Sequence, residues 1–238
     1  MTIAVHCSGQ GIPLVMFHGW GFDSRIWASI LPLLEKHCEV YRVDLPGFGL
    51  SAYLPWEAFK RNLLNQLPAQ FAVAGWSLGG LFATRLAIEE PQTITHLVNI
   101  ASSPCFVESL NWPGIPESTL LSFQDRLTNN PESVLREFLA LQLPRQSENA
   151  YPYVSREGLQ AGLESLLTWD YKDQLSLIEC PMLYLFGSRD EIVTLKTMKV
   201  MQDCYPQFKY ILFKKALHAI FLTHPVDSVE SILHFLSS

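Results

Sequence analysis

The chain has 238 residues, 48% of them hydrophobic, and a formal net charge of −6. That length and composition suit one large α/β domain with an insertion and a sizeable core, and they exclude a disordered chain. The acidic balance, with no basic run interleaved with aromatics, excludes a general nucleic-acid binder. The five cysteines (Cys7, Cys38, Cys105, Cys180 and Cys204) are odd in number, scattered and without a CxxC pair. They read as free thiols of a reducing compartment rather than a disulfide framework or a zinc site. The opening "MTIAVHCSGQG" lacks a charged region followed by an apolar stretch, and no apolar run nears the ~18–20 residues that cross a bilayer. A cytoplasmic protein with no membrane association is expected.

In chain order, "PLVMFH", "EVYRVD", "FAVAGW", "HLVNIA", "PMLYLFG" and "KYILF" read as strands. Most are uninterrupted rather than alternating, as parallel strands buried on both faces are. Helical patterns lie between them. In "SRIWASILPLLEKH", Trp27, Ile30, Leu31 and Leu34 share a face; "LGGLFATRLAIEEP" reads as a buried helix ended by Pro91. At the end of the chain, "PVDSVESILHFL" predicts a stripe of Val226, Val229, Leu233 and Leu236. The alternation predicts an α/β fold with a doubly wound, mostly parallel sheet.

Residues 103–168 break the alternation. They contain no convincing strand but do contain helical patterns, "PESTLLSFQDRL" and "PESVLREFLALQL". They are expected to form a helical cap insertion, with residues 1–102 and 169–238 making the core. A second packing layer without a binding role is the alternative.

The sharpest chemical signal is Gly75-Trp76-Ser77-Leu78-Gly79, set between an apolar strand and an apolar helix. A GxSxG there makes a tight turn that lifts the serine hydroxyl above the sheet at a helix N-terminus. Serine is a weak nucleophile at neutral pH and needs a base. Asp190 follows the strand "PMLYLFG" and His218 follows "KYILF", giving the chain order nucleophile, acid, histidine at the carboxyl ends of strands. Asp190 is preferred to its neighbour Glu191. The other histidine of "KKALHAIFLTHP", His224, directly precedes Pro225 and belongs to the start of the last helix. Phe221, between the two histidines, is left open between an acyl pocket and the core.

An oxyanion hole needs two backbone N–H groups, and losing one such donor costs ~3–4 kcal/mol of transition-state stabilisation. Leu78, next to the nucleophile, supplies one. Trp20, in the loop His18-Gly19-Trp20-Gly21, supplies the other, while His18 is expected to tie that loop down. No ligand cluster has metal-binding spacing, so neither metal nor organic cofactor is expected.

The strings "HGWG", "DLPGFGLS", "GWSLGG", "GSRDEIV" and "LHA" occur in the order and spacing of the α/β-hydrolase superfamily, and the resemblance covers essentially the whole chain. With "NIASSPCF", "WPGI" and "FLALQ" added, the chain more closely resembles the BioH-type pimeloyl-[acyl-carrier protein] methyl ester esterases of biotin synthesis. That resemblance implies a carboxylesterase with Ser77, Asp190 and His218 as its triad and Trp20 and Leu78 at the oxyanion site. It also implies that Phe138, Leu139, Ala140, Leu141 and Gln142 help wall the acyl chain, although "REFLALQL" is also a normal amphipathic pattern. The implied partner is an acyl-carrier protein bearing the substrate; separately, a monomer is expected. The family's cap carries several arginines that meet the acidic carrier. Here the cap has Arg126, Arg136, Arg145 and Arg156 amid eight acidic residues. Two other functions fit the same strings: a general short-chain carboxylesterase acting on small-molecule esters, and a ligand-binding receptor retaining the fold.

Overall fold

The computed structural model describes residues 2–142 and 153–238, with the backbone alone of Leu141 and Gln142. Seven strands form one sheet: β1 (Val5–Gly9), β2 (Ile12–Phe17), β3 (Cys38–Val43), β4 (Phe71–Trp76), β5 (Ile94–Ile100), β6 (Met182–Gly187) and β7 (Lys209–Phe213). Their order is β1-β3-β2-β4-β5-β6-β7; β1 runs antiparallel to β3 and every other pair is parallel. The doubly wound sheet is therefore as predicted, with one strand more. The segment "VHCSG" of β1 is not an apolar run because it lies at the edge and is only half covered.

The α-helices are α1 (Leu31–Leu34), α2 (Trp56–Leu64), α3 (Leu78–Glu89), α4 (Glu117–Asn129), α5 (Pro131–Gln142), α6 (Arg156–Thr168), α7 (Leu195–Cys204), α8 (Ile220–Thr223) and α9 (Pro225–Leu236). Helices α4, α5 and α6 lie between β5 and β6 in the chain. The helix expected over residues 24–37 is instead a 3-10 turn, Ser24–Ser29, followed by the single turn α1. Pro32 explains the break, since it has no N–H to give to the carbonyl of Ala28. The stripe on α9 is also rotated from expectation: Val229, Ile232 and Phe235 are buried, whereas Val226 is exposed.

Alternate residues of each strand feed two cores. Leu14 and Met16 point to the side of Trp27, Leu34, Val229 and Phe235; Val15 and Phe17 point to the side of Phe59, Leu63, Leu81 and Leu86. Covered on both faces, α3 buries nine of its twelve residues. Burying a Leu or Phe side chain stabilises by roughly 1.5–3 kcal/mol, so this helix is fixed firmly to the sheet.

The chain runs from β2 to β3 on one side, then returns to β4 on the other. Ligands of open α/β sheets bind at such a reversal, outside the carboxyl ends of the strands. In the register of β2 against β4, Phe17 lies opposite Gly75. His18–Trp20 and Trp76–Leu78 therefore leave the sheet side by side.

Candidate active site

Ser77 sits at φ 54° and ψ −119°, in the left-handed region that side chains avoid at a cost of roughly 1–3 kcal/mol. Three kinds of contact hold it there. Its N–H donates to the Ile100 carbonyl at 3.0 Å, and its own carbonyl accepts from the Gly80 and Leu81 amides at 2.9 and 3.3 Å. The Ser102 hydroxyl donates to the same carbonyl at 2.8 Å. The turn is also crowded: a methyl group on Gly75 would come within 2.2 Å of the Gly79 carbonyl oxygen, and one on Gly79 within 2.3 Å of the Phe17 carbonyl oxygen.

Asp190 and His218 meet at the carboxyl ends of β6 and β7. The Asp190 Oδ1 accepts from the amides of Ile192 and Val193 at 2.8 and 3.0 Å, which leaves Oδ2 for His218 Nδ1 at 2.8 Å. An ionised carboxylate only accepts, so His218 donates from Nδ1 and its Nε2 carries the lone pair. That Nε2 is buried and makes no hydrogen bond among the described residues. The ring stands 5.6 Å from that of Trp76, whose Nε1–H donates to the His218 carbonyl at 3.1 Å. The histidine is thereby held beside the residue that precedes Ser77. Glu191 is exposed, unlike buried Asp190.

His224 stands at the start of α9 as expected, but its side chain does not cap the helix; its Nδ1 lies 2.8 Å from Thr223 Oγ1. Phe221 belongs to the core, with ring contacts of 4.4 Å to Trp27 and 5.3 Å to Trp76.

The loop after β2 lies across Trp76, because Gly19 has no side chain to push the indole away. His18 clamps it. The Leu45 amide donates to His18 Nε2 at 3.0 Å, so Nε2 is unprotonated and Nδ1–H donates to the Gly19 carbonyl at 2.8 Å. Burial holds the His18 pKa below its usual value, against the raising effects of the Gly19 carbonyl and of Asp44 and Asp23. Asp44 braces the loop from beneath, accepting from the Ser24 amide at 2.8 Å and the Leu50 amide at 2.9 Å. Leu78 opens α3, so its N–H is one of the four that lack an intrahelical partner. Trp20 and Leu78 are both fully buried.

From α5, Phe138 meets Trp20 edge-on at 4.7 Å, and Leu135 and Leu139 pack over Gly21. Ala140, two residues and about 200° round the helix from Phe138, is exposed and stands apart from that wall. The side chains of Leu141 and Gln142, and all of Arg145, lie outside the described residues. Ser77 and His218 are 2% and 1% exposed, so both residues are buried. A separate cavity of about 170 Å³ runs between α6 and the residues Phe48, Tyr53, Trp56 and Phe82; neither Ser77 nor His218 lines it.

Sequence reasoning missed Ser102, Leu159 and Gly162. Only the pair of serines in "ASSP" and the Gly158-xxx-Gly162 spacing offered any signal for them. Among the described residues, no three His, Cys, Asp or Glu side chains are placed to hold a metal, and no helix is long and apolar enough to cross a membrane.

A mostly parallel sheet carrying a strained serine elbow, with a paired Asp and His after the strands two and three places along, defines a class of hydrolase. Residues 14–231 match the alpha/beta hydrolase family, and the chain belongs to it. Among its relatives, the pimeloyl-[acyl-carrier protein] methyl ester esterase of Legionella pneumophila (strain Corby) is 50% identical over 227 residues, covering 94% of this chain and 95% of that one. The protein of the same name from Klebsiella pneumoniae subsp. pneumoniae is 38% identical over 235 residues, covering 92% and 91%. An esterase from Exiguobacterium antarcticum superposes with a TM-score of 0.88 at 20% identity, covering 99% and 96%, which establishes likeness of fold.

Proposed function

We propose that this chain is a serine carboxylesterase that hydrolyses the methyl ester of pimeloyl-[acyl-carrier protein], releasing methanol and the free pimeloyl carboxylate in biotin synthesis. The observation that carries this reading is the 50% identity, over 94% of the chain, to an esterase named for that substrate. The Asp190–His218 hydrogen bond and the strained Ser77 turn support the chemistry.

In the mechanism, His218 Nε2 takes the proton of the Ser77 hydroxyl as the oxygen attacks the ester carbonyl. Asp190 keeps the proton on Nδ1 and stabilises the imidazolium that forms. The amides of Trp20 and Leu78 hold the oxyanion. His218 then gives its proton to the departing methanol, and water hydrolyses the acyl-enzyme by the same route. Residues 103–168 act as the cap, with Phe138 and Leu139 against the acyl chain and the carrier thioester left near the mouth. An apolar channel separates chains differing by one methylene by only ~1–3 kcal/mol, so tethering to the carrier supplies part of the selectivity. The five cysteines are free, as suits a cytoplasmic enzyme.

The test compares kcat/KM for a pimeloyl-carrier methyl ester with that for simple short-chain aryl esters. A clear preference for the carrier substrate is expected; equal or better turnover of the aryl esters would assign a general carboxylesterase instead.

A further inference from the structure

We infer that cap helix α6 positions the oxyanion donors through Leu159 and Gly162, so that seating of the cap completes the catalytic site. This rests on the reading of Trp20 and Leu78 as those donors.

The Trp20 Nε1–H donates a 2.9 Å hydrogen bond to the carbonyl of Leu159, 139 residues further along the chain. One turn on, Gly162 lies against the side chains of both residues that carry the donors. A methyl group there would come within 2.6 Å of Trp20 Cδ1 and 3.1 Å of Leu78 Cδ2. Phe138 of α5 closes the socket from another side. The Trp20 side chain is therefore gripped by the cap, while its backbone belongs to the loop after β2.

That backbone is flanked by Gly19 and by Gly21 at φ 80°, residues that put little restriction on peptide orientation. The indole is thus a lever through which α6 sets the direction of the Trp20 amide. The path of α6 is itself fixed by close approach. The Ser155 amide donates to the Gly47 carbonyl at 2.8 Å, and a methyl group on Gly158 would come within 2.5 Å of that same oxygen. Gly158 and Gly162, four residues apart, lie on one face of the helix. One meets the loop after β3 and the other meets the oxyanion residues.

The consequence is mechanistic. Ser77 and His218 are buried beneath the cap, and on this inference an acyl chain entering under α6 loosens the grip on Trp20. Closing over the chain restores it. Leu159 and Gly162 are positioning residues; neither needs to touch substrate.

The experiment measures steady-state kinetics of Gly162→Ala and Trp20→Phe on a small aryl acetate, with thermal unfolding in parallel. Ser77→Ala serves as the reference. Misplacing a catalytic group by about an ångström costs on the order of a hundredfold in rate, so kcat is expected to fall about ten- to hundredfold in both variants. KM should stay within about threefold, since ground-state binding of so short an ester does not depend on the oxyanion donors. Should Gly162→Ala fail to fold, Trp20→Phe decides alone, because it keeps an aromatic ring and removes only the indole donor and part of its bulk. Unchanged kcat in the folded variants, with Ser77→Ala inactive, overturns this inference and leaves the proposed function standing. Activity retained by Ser77→Ala overturns both.

Discussion

The hydroxyl of Ser102 donates a 2.8 Å hydrogen bond to the carbonyl of Ser77, joining the loop after β5 to the strained residue after β4. Ala101 just before it is itself at φ 45°, so both sides of this contact are in backbone conformations that side chains avoid. A methyl group on Gly80 would come within 2.4 Å of the Ser102 hydroxyl, which shows how closely the two loops are fitted. Replacing Ser102 by Ala is expected to cost about 1 kcal/mol of stability, as a lost buried hydrogen bond does. It is also expected to lower kcat more than it raises KM. Denaturant unfolding and steady-state kinetics check the two effects.

Asp190→Asn keeps the shape of the acid but can present an amide N–H to His218 Nδ1, favouring the tautomer with its proton on Nε2. The expected outcome is a fall of roughly 10⁴ in kcat with the fold retained. Stopped-assay kinetics with circular dichroism on the same sample separate these.

Gly75→Ala places a methyl group 2.2 Å from the Gly79 carbonyl oxygen, a backbone atom that cannot swing aside. Overpacking costs about 1–3 kcal/mol where a core can adjust, and here the strained Ser77 turn has to move as well. A lowered midpoint of chemical unfolding together with near-complete loss of esterase activity is expected.

Acid should weaken the fold through His18. Its folded pKa is lowered by burial, so below the ordinary value of 6.5 the unfolded chain takes up the proton first. Stability is therefore unaffected above about pH 7, falls as pH drops through 6.5, and levels off once the folded pKa has been passed. His96, also lowered by its burial and by Lys209, contributes in the same direction. Thermal unfolding between pH 8 and pH 5 should show this slope, and His18→Gln should reduce it while lowering stability at every pH.

Much of the site was legible because its signals are local. A GxSxG between an apolar strand and an apolar helix names its own turn, and Asp190 and His218 each follow a recognisable strand. The partners that hold these groups were not legible. Ser102 reaches Ser77 across 25 residues and Leu159 reaches Trp20 across 139, distances over which no periodicity carries information. The edge strand β1 lacked an apolar run because one side of it has no neighbour. Pro32 split a helix that hydrophobic spacing alone had joined. On α9 the spacing located the helix, but tertiary contacts chose a face centred on Ile232 rather than on the line from Val226 to Leu233.

The most direct measurement is mass-spectrometric product analysis of a carrier-bound pimeloyl methyl ester incubated with the wild-type protein and with Ser77→Ala. The expected result is a carrier conjugate lighter by one CH₂, an intact thioester and free methanol from the wild type, and no change with Ser77→Ala. Release of the acyl chain from the carrier, or equal methanol release by Ser77→Ala, would contradict it.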